Sequence, residues 1–144
     1  MRYRLPQPFE ELEHTADVGV RVRGRTPDEA LARLVLAYGQ LLLGSGPTSM
    51  QNEGGLSVAD GEDSAVLAVN VLRELHLRFV TERVIPVECE IARLDTGGAE
   101  IVVGWTRYDR EAHREGVDIK AVTYHAAAFD KDETGWYAQV IFDI

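Results

Sequence analysis

Hard oxygen ligands sit at two distant places in this sequence. At one end Asp143 and Ile144 put a side-chain carboxylate beside the terminal one, and Asp17 closes an early turn, His14-Thr15-Ala16-Asp17. Three carboxylates held together repel one another unless a proton or a cation shares the space. An all-oxygen set suits calcium, magnesium or manganese better than zinc. Spacing alone does not bring Asp17 to Asp143. The single cysteine, Cys89, cannot form an internal disulfide, and no Cys/His cluster has zinc spacing. Its place in the alternation Ile85, Val87, Cys89, Ile91 makes it a buried structural thiol.

The elements that must position these groups are legible from periodicity. Phe9 to Glu13 and Val18 to Arg23 predict strands, and Thr26-Pro27-Asp28-Glu29 starts a helix with an N-cap, a proline in the first turn and a capping-box glutamate. That helix carries Leu31, Leu34, Val35, Tyr38, Leu41 and Leu42 on one face and stops at Gly44. Residues 44–55 predict a loop, Leu56 to Ala59 a short strand, and Ser64 to Glu82 a second amphipathic helix on which His76 is a rim residue. Strands follow through Ile91, from Ile101 to Tyr108, from Val117 to Phe129 and from Trp136 to Ile144.

A last turn centred between Asp132 and Glu133 predicts one face with Ile119, Ala121, Thr123, Ala127 and Phe129 beside Trp136, Ala138, Val140 and Phe142. This is the core face, and it includes His125. The other face carries Lys120, Val122 and Tyr124, with Asp143 across from Val122 and diagonal to Lys120, about 7–8 Å away at the Cα atoms. Lysine and carboxylate then share a patch, unless they are only an edge ion pair worth at most about 1 kcal/mol. Two helices among some seven strands predict a single-domain α+β sandwich of mainly antiparallel sheet.

Length and charge bound the function. The chain has 144 residues, 45% of them hydrophobic, and 24 acidic against 15 basic side chains give a net charge of −9. That balance argues against a basic footprint along nucleic acid or an anionic membrane, while Arg21, Arg23 and Arg25 leave room for one local basic patch. Neither an apolar leader nor a membrane-spanning run is present, which predicts a soluble cytoplasmic protein.

Three blocks carry a family resemblance: Phe9-Glu10-Glu11-Leu12-Glu13-His14-Thr15-Ala16-Asp17-Val18-Gly19-Val20, then Ile119-Lys120-Ala121-Val122-Thr123-Tyr124-His125, then Val140-Ile141-Phe142-Asp143-Ile144. In order and spacing they resemble the archease family, and the likeness covers essentially the whole chain as one archease-like domain, residues 1–144. It departs in the second helix, where Val69-Asn70-Val71-Leu72 stands at a stretch often aromatic-rich with a Trp-Leu-Asn pattern, and it is loose from Tyr108 to Val117. Charges in that second segment read as a solvated loop, with His113 a minor candidate.

The resemblance implies an accessory protein of the RtcB-type RNA ligase in tRNA splicing or RNA repair, not an enzyme. Such a protein promotes guanylylation of the ligase with the ligase's GTP, supports multiple turnover, and meets RNA only through that partner. It also implies metal ligands at Asp17, Asp143 and the Ile144 carboxylate, with Lys120 as the basic member of the patch. His14 either orients Asp17 or shapes the turn. The alternatives are a chaperone or modulator of tRNA methyltransferases, and a metal-dependent phosphohydrolase with His14 as base.

Overall fold

The computed structural model describes residues 1–13, 16–59 and 63–144. Two four-stranded antiparallel sheets enclose two helices. β1 (Arg2–Arg4), β5 (Val84–Asp95), β6 (Gly98–Arg107) and β4 (Asn52–Ala59) form one sheet in that order. The other runs β2 (Glu10–Glu13), β3 (Asp17–Gly24), β8 (Gly135–Asp143), β7 (Ala121–Asp132). Between them, α1 (Pro27–Leu43) packs on β1 and β5 of the first sheet and on β3 and β8 of the second, while α2 (Ser64–Glu82) packs chiefly on β7. This is the expected α+β sandwich.

Local chemistry starts both helices where the sequence placed them. The Glu29 amide donates to Thr26 Oγ1 at 3.1 Å, and Glu29 Oε1 accepts the Arg25 amide at 2.9 Å, so the capping box closes one residue before the cap. Asp63 accepts the Val66 amide at 2.9 Å and caps α2. Unlike an ordinary surface helix, α1 is buried nearly all round, from Ala30 to Leu43 with few gaps, because both sheets cover it. Gly39 makes the close approach possible: a Cβ there would collide with the Pro86 carbonyl oxygen on β5. The apolar core is continuous, and Cys89 lies within it, fully buried, its thiol pushed up to about 12 by loss of solvation.

Several elements differ from expectation. Arg2–Arg4 forms an edge strand, held because Arg2 Nε and Nη2 each reach a carboxylate, Glu88 and Glu53, at 2.7 Å. β4 starts at Asn52, inside the segment expected to be loop, because β6 offers a full ladder from Trp105 back to Gly98. β7 begins at Ala121, not Val117. His113 is buried, not solvated: its Nδ1 accepts the Asp109 amide at 2.9 Å and its Nε2 meets the Pro47 carbonyl at 3.1 Å, so it ties two loops together.

Candidate functional site

β3 and β8 lie side by side, and their ladder makes Asp17 and Asp143 Cα partners. Directly opposed residues in an antiparallel pair hold their Cβ atoms about 4.5–5.5 Å apart. Two carboxylates separated by most of the chain length are therefore neighbours at one end of the sheet. The main chain pins this end: the Lys120 amide donates to the Asp143 carbonyl at 2.8 Å, and the Ile144 amide to the Ala16 carbonyl at 3.4 Å. Asp143, Lys120 and Ile144 are exposed, and Asp17 is half-buried. Its Oδ1 is buried and, among the described residues, has no hydrogen-bond partner.

A buried carboxylate oxygen without a donor, facing a second carboxylate, fits a hard divalent cation. Among the described residues no three His, Cys, Asp or Glu side chains gather, and Ile144 follows Asp143 at the same end of the sheet. His14 lies outside the described residues.

Lys120 is held differently from expectation. It precedes β7 instead of standing in it, and Asp143 faces Ala121, not Val122. A half-buried contact between the two helices lies near it. The Tyr38 hydroxyl on α1 meets His76 Nδ1 on α2 at 2.9 Å, and the Lys120 main chain lies close enough to the His76 ring to favour its protonated form. Burial lowers the His76 pKa, partly offset by the nearby Lys120 main chain. His76 is half-buried, in keeping with a rim position, and its partner Tyr38 lies 38 positions away.

The β7–β8 hairpin carries the largest correction. Its turn is Glu133–Thr134, one residue later than expected, with Asp132 opposite Gly135. Asp132 Oδ1 accepts the Thr134 amide and hydroxyl at 2.9 Å each, and Arg23 grips Oδ2 at 2.8 Å. The Arg23 bond leads in lowering the Asp132 carboxyl to about 2. Farther along, the register breaks between Thr123 and Ala128, where Tyr124 to Ala127 face Val140 alone. Three extra residues are an odd number, so alternation inverts. Val122 becomes core opposite Phe142, and His125, expected in the core, is exposed.

The irregularity has its own support. Ala126 sits at φ 52°, and Gln139 Nε2 donates to its carbonyl at 2.9 Å. His125 thereby lines an open cavity of about 460 Å³ with Leu12, Ala16, Asp17, Gln139 and Ile141. An exposed imidazole beside the acidic end was not legible while the strand was read as regular.

A model of the archease protein family matches residues 9–144. The chain belongs to the archease family. Proteins named archease from Methanosarcina mazei and Methanopyrus kandleri are similar to it, the first at 31% identity over 94% of this chain and 95% of its own length. The second shows 29% identity over 95% of this chain and 99% of its own length. The archease fold is also seen in a solution structure of Methanobacterium thermoautotrophicum protein 1598, at TM-score 0.75 and 24% identity over 94% of this chain and 98% of that one. A crystal structure of a Thermotoga maritima archease, described as a possible chaperone, has TM-score 0.60 and 20% identity over 99% of each chain. Among the described residues of this archease, no helix is long and apolar enough to cross a membrane.

Proposed function

We propose that this archease is a cytoplasmic accessory protein of an RtcB-type, GTP-dependent RNA ligase in tRNA splicing or RNA repair. In this reading it promotes guanylylation and repeated turnover of the ligase through its acidic end. The observation that carries the proposal is the cross-strand pairing of Asp17 with Asp143, with Asp17 Oδ1 lacking a partner among the described residues.

Asp17, Asp143 and the Ile144 carboxylate would hold a divalent cation, calcium or magnesium or manganese. When bound, that ion supplies positive charge that polarises phosphate oxygens. The protein's own groups supply placement. Lys120 is exposed with its amide bonded to the Asp143 carbonyl, and in this reading its ammonium is the basic member of the patch. A pocket that grips GTP and RNA phosphates must be electropositive, and a chain of charge −9 suits approach to it.

The test is stoichiometric guanylylation of the ligase with wild type, Asp17→Ala and Asp143→Ala. Strong stimulation by wild type alone is expected, and equal stimulation by all three refutes the proposal. A second reading, a chaperone or modulator of tRNA methyltransferases, draws on the description of the Thermotoga maritima relative as a possible chaperone. It predicts suppressed aggregation of a methyltransferase without any dependence on Asp17. A phosphohydrolase would turn over phosphoesters alone with magnesium or manganese; no turnover is expected.

A further inference from the structure

The outer face of the β2–β3–β8–β7 sheet carries a second cluster of opposite sign. Val20, Val22 and Gly24 of β3 are buried, so Arg21 and Arg23 point outward, and Arg25 continues the alternation just past the strand. Arg33 reaches the same edge from α1, its Nη1 donating to the Arg23 carbonyl at 2.8 Å. Arg21, Arg23 and Arg33 line an open cavity of about 240 Å³ with Pro8, Phe9 and Glu10. The Arg21 guanidinium lies over the Tyr137 ring, 4.6 Å from its centroid, and Arg23 stands 5.8 Å from the same ring.

Nearby carboxylates engage only part of this charge. Asp132 holds Arg23 at 2.8 Å, and Glu29 lies 3.6 Å from Arg33. Glu10 is the Cα partner of Arg21 across β2–β3. Among the described residues, Arg21 and Arg25 form no ion pair.

We propose that this arginine strip binds the backbone of a single-stranded nucleic acid directly. Alternate residues on a strand repeat every ~6.6 Å, comparable to the separation of successive phosphates in an extended strand. The planar fork of arginine matches two phosphate oxygens at once. Bases stack on guanidinium and aromatic planes without regard to sequence, and half-buried Arg21 over Tyr137, its Nη1 also donating to Gln139 Oε1 at 3.4 Å, offers such a pair. An acidic peptide would meet the same charges but would gain nothing from the stacked ring. The strip goes beyond the ligase reading, in which RNA is reached only through the partner, and does not depend on it.

The test is fluorescence anisotropy of a labelled single-stranded RNA of about ten nucleotides, long enough to span the strip, against the full chain. With about three phosphates neutralised at ~0.7 each, the slope of log affinity against log salt should be near −2. Arg21→Gln and Arg25→Gln, which break no ion pair, should each cut that slope by about 0.7, and Asp17→Asn should leave it unchanged. The same oligonucleotide as DNA should bind comparably. No binding at low salt, or affinity unchanged by both arginine substitutions, overturns the proposal. So does a polyglutamate peptide that binds the strip more tightly than the RNA. Failure of the wild type to stimulate the ligase, with RNA binding intact, would count against the ligase reading alone.

Discussion

Replacing Asp17 by Asn removes one of two carboxylates that the β3–β8 ladder forces together, and its consequences can be worked through. With the carboxylates about 6 Å apart at an effective dielectric of ~40–80, their repulsion is roughly 0.7–1.4 kcal/mol. Asp143 is solvent-exposed, so about 1 kcal/mol is a fair figure without a cation. Unfolding entropy scales near 2.1 cal/mol/K per residue, about 0.3 kcal/mol/K for 144 residues. Relief of the repulsion should therefore raise the melting temperature of Asp17→Asn in chelator by about 3 °C. Added cation reverses the ranking. At a hundred times its Kd, a bound ion adds about 2.7 kcal/mol to the wild type, a rise of about 9 °C, while the variant should hardly respond. Thermal melts followed by circular dichroism, in chelator and across a titration of calcium, magnesium and manganese, measure both effects. An equal cation-dependent rise in the variant would refute the reasoning, as would a variant less stable than wild type in chelator.

Two further expectations follow from how the site is held. Because burial lowers the native pKa of His76, the unfolded chain takes up its proton first as pH falls. Its contribution to stability is complete above the unfolded value of about 6.5 and is lost as pH drops through that value and the lower native one. His76→Gln keeps an acceptor for the Tyr38 hydroxyl but does not titrate, so its melting temperature should fall less than that of wild type between about pH 7 and 5; parallel profiles would contradict this. Ala126 adopts φ 52°, a region costing a residue with a Cβ about 1–2 kcal/mol, so Ala126→Gly should be neutral or stabilising by up to about 1 kcal/mol despite the entropy of glycine. Chemical denaturation measures it, and a loss of stability would mean that the backbone at this position carries no strain.

Much of this architecture was readable along the chain because it rests on near neighbours. The Thr26 cap, the apolar stripes of α1 and α2, the alternation around Cys89 and the existence of a last hairpin all follow from interactions within a few residues. Asp17, Lys120, Asp143 and Ile144 were recognisable as residue types within unusual blocks. What local pattern could not supply was partnership. The full burial of α1 follows from two sheets closing on it, and β1 and the start of β4 exist because a neighbouring strand offers a ladder.

The site divides along the same line. Its carboxylates were evident from sequence, but only the pairing of β3 with β8 sets Asp17 against Asp143, and only the packing of α1 and α2 brings Tyr38 to His76. The hairpin shows the physical reason most directly. A period of two determines which residues share a face only while the strand is regular, and nothing local announced the three extra residues before Ala128. Burial of Val122 against Phe142 selected the inverted register and turned His125 outward beside Asp17. Residue chemistry and local conformation were determined by the sequence itself; which charges meet was decided by the free energy of burying both sheets at once.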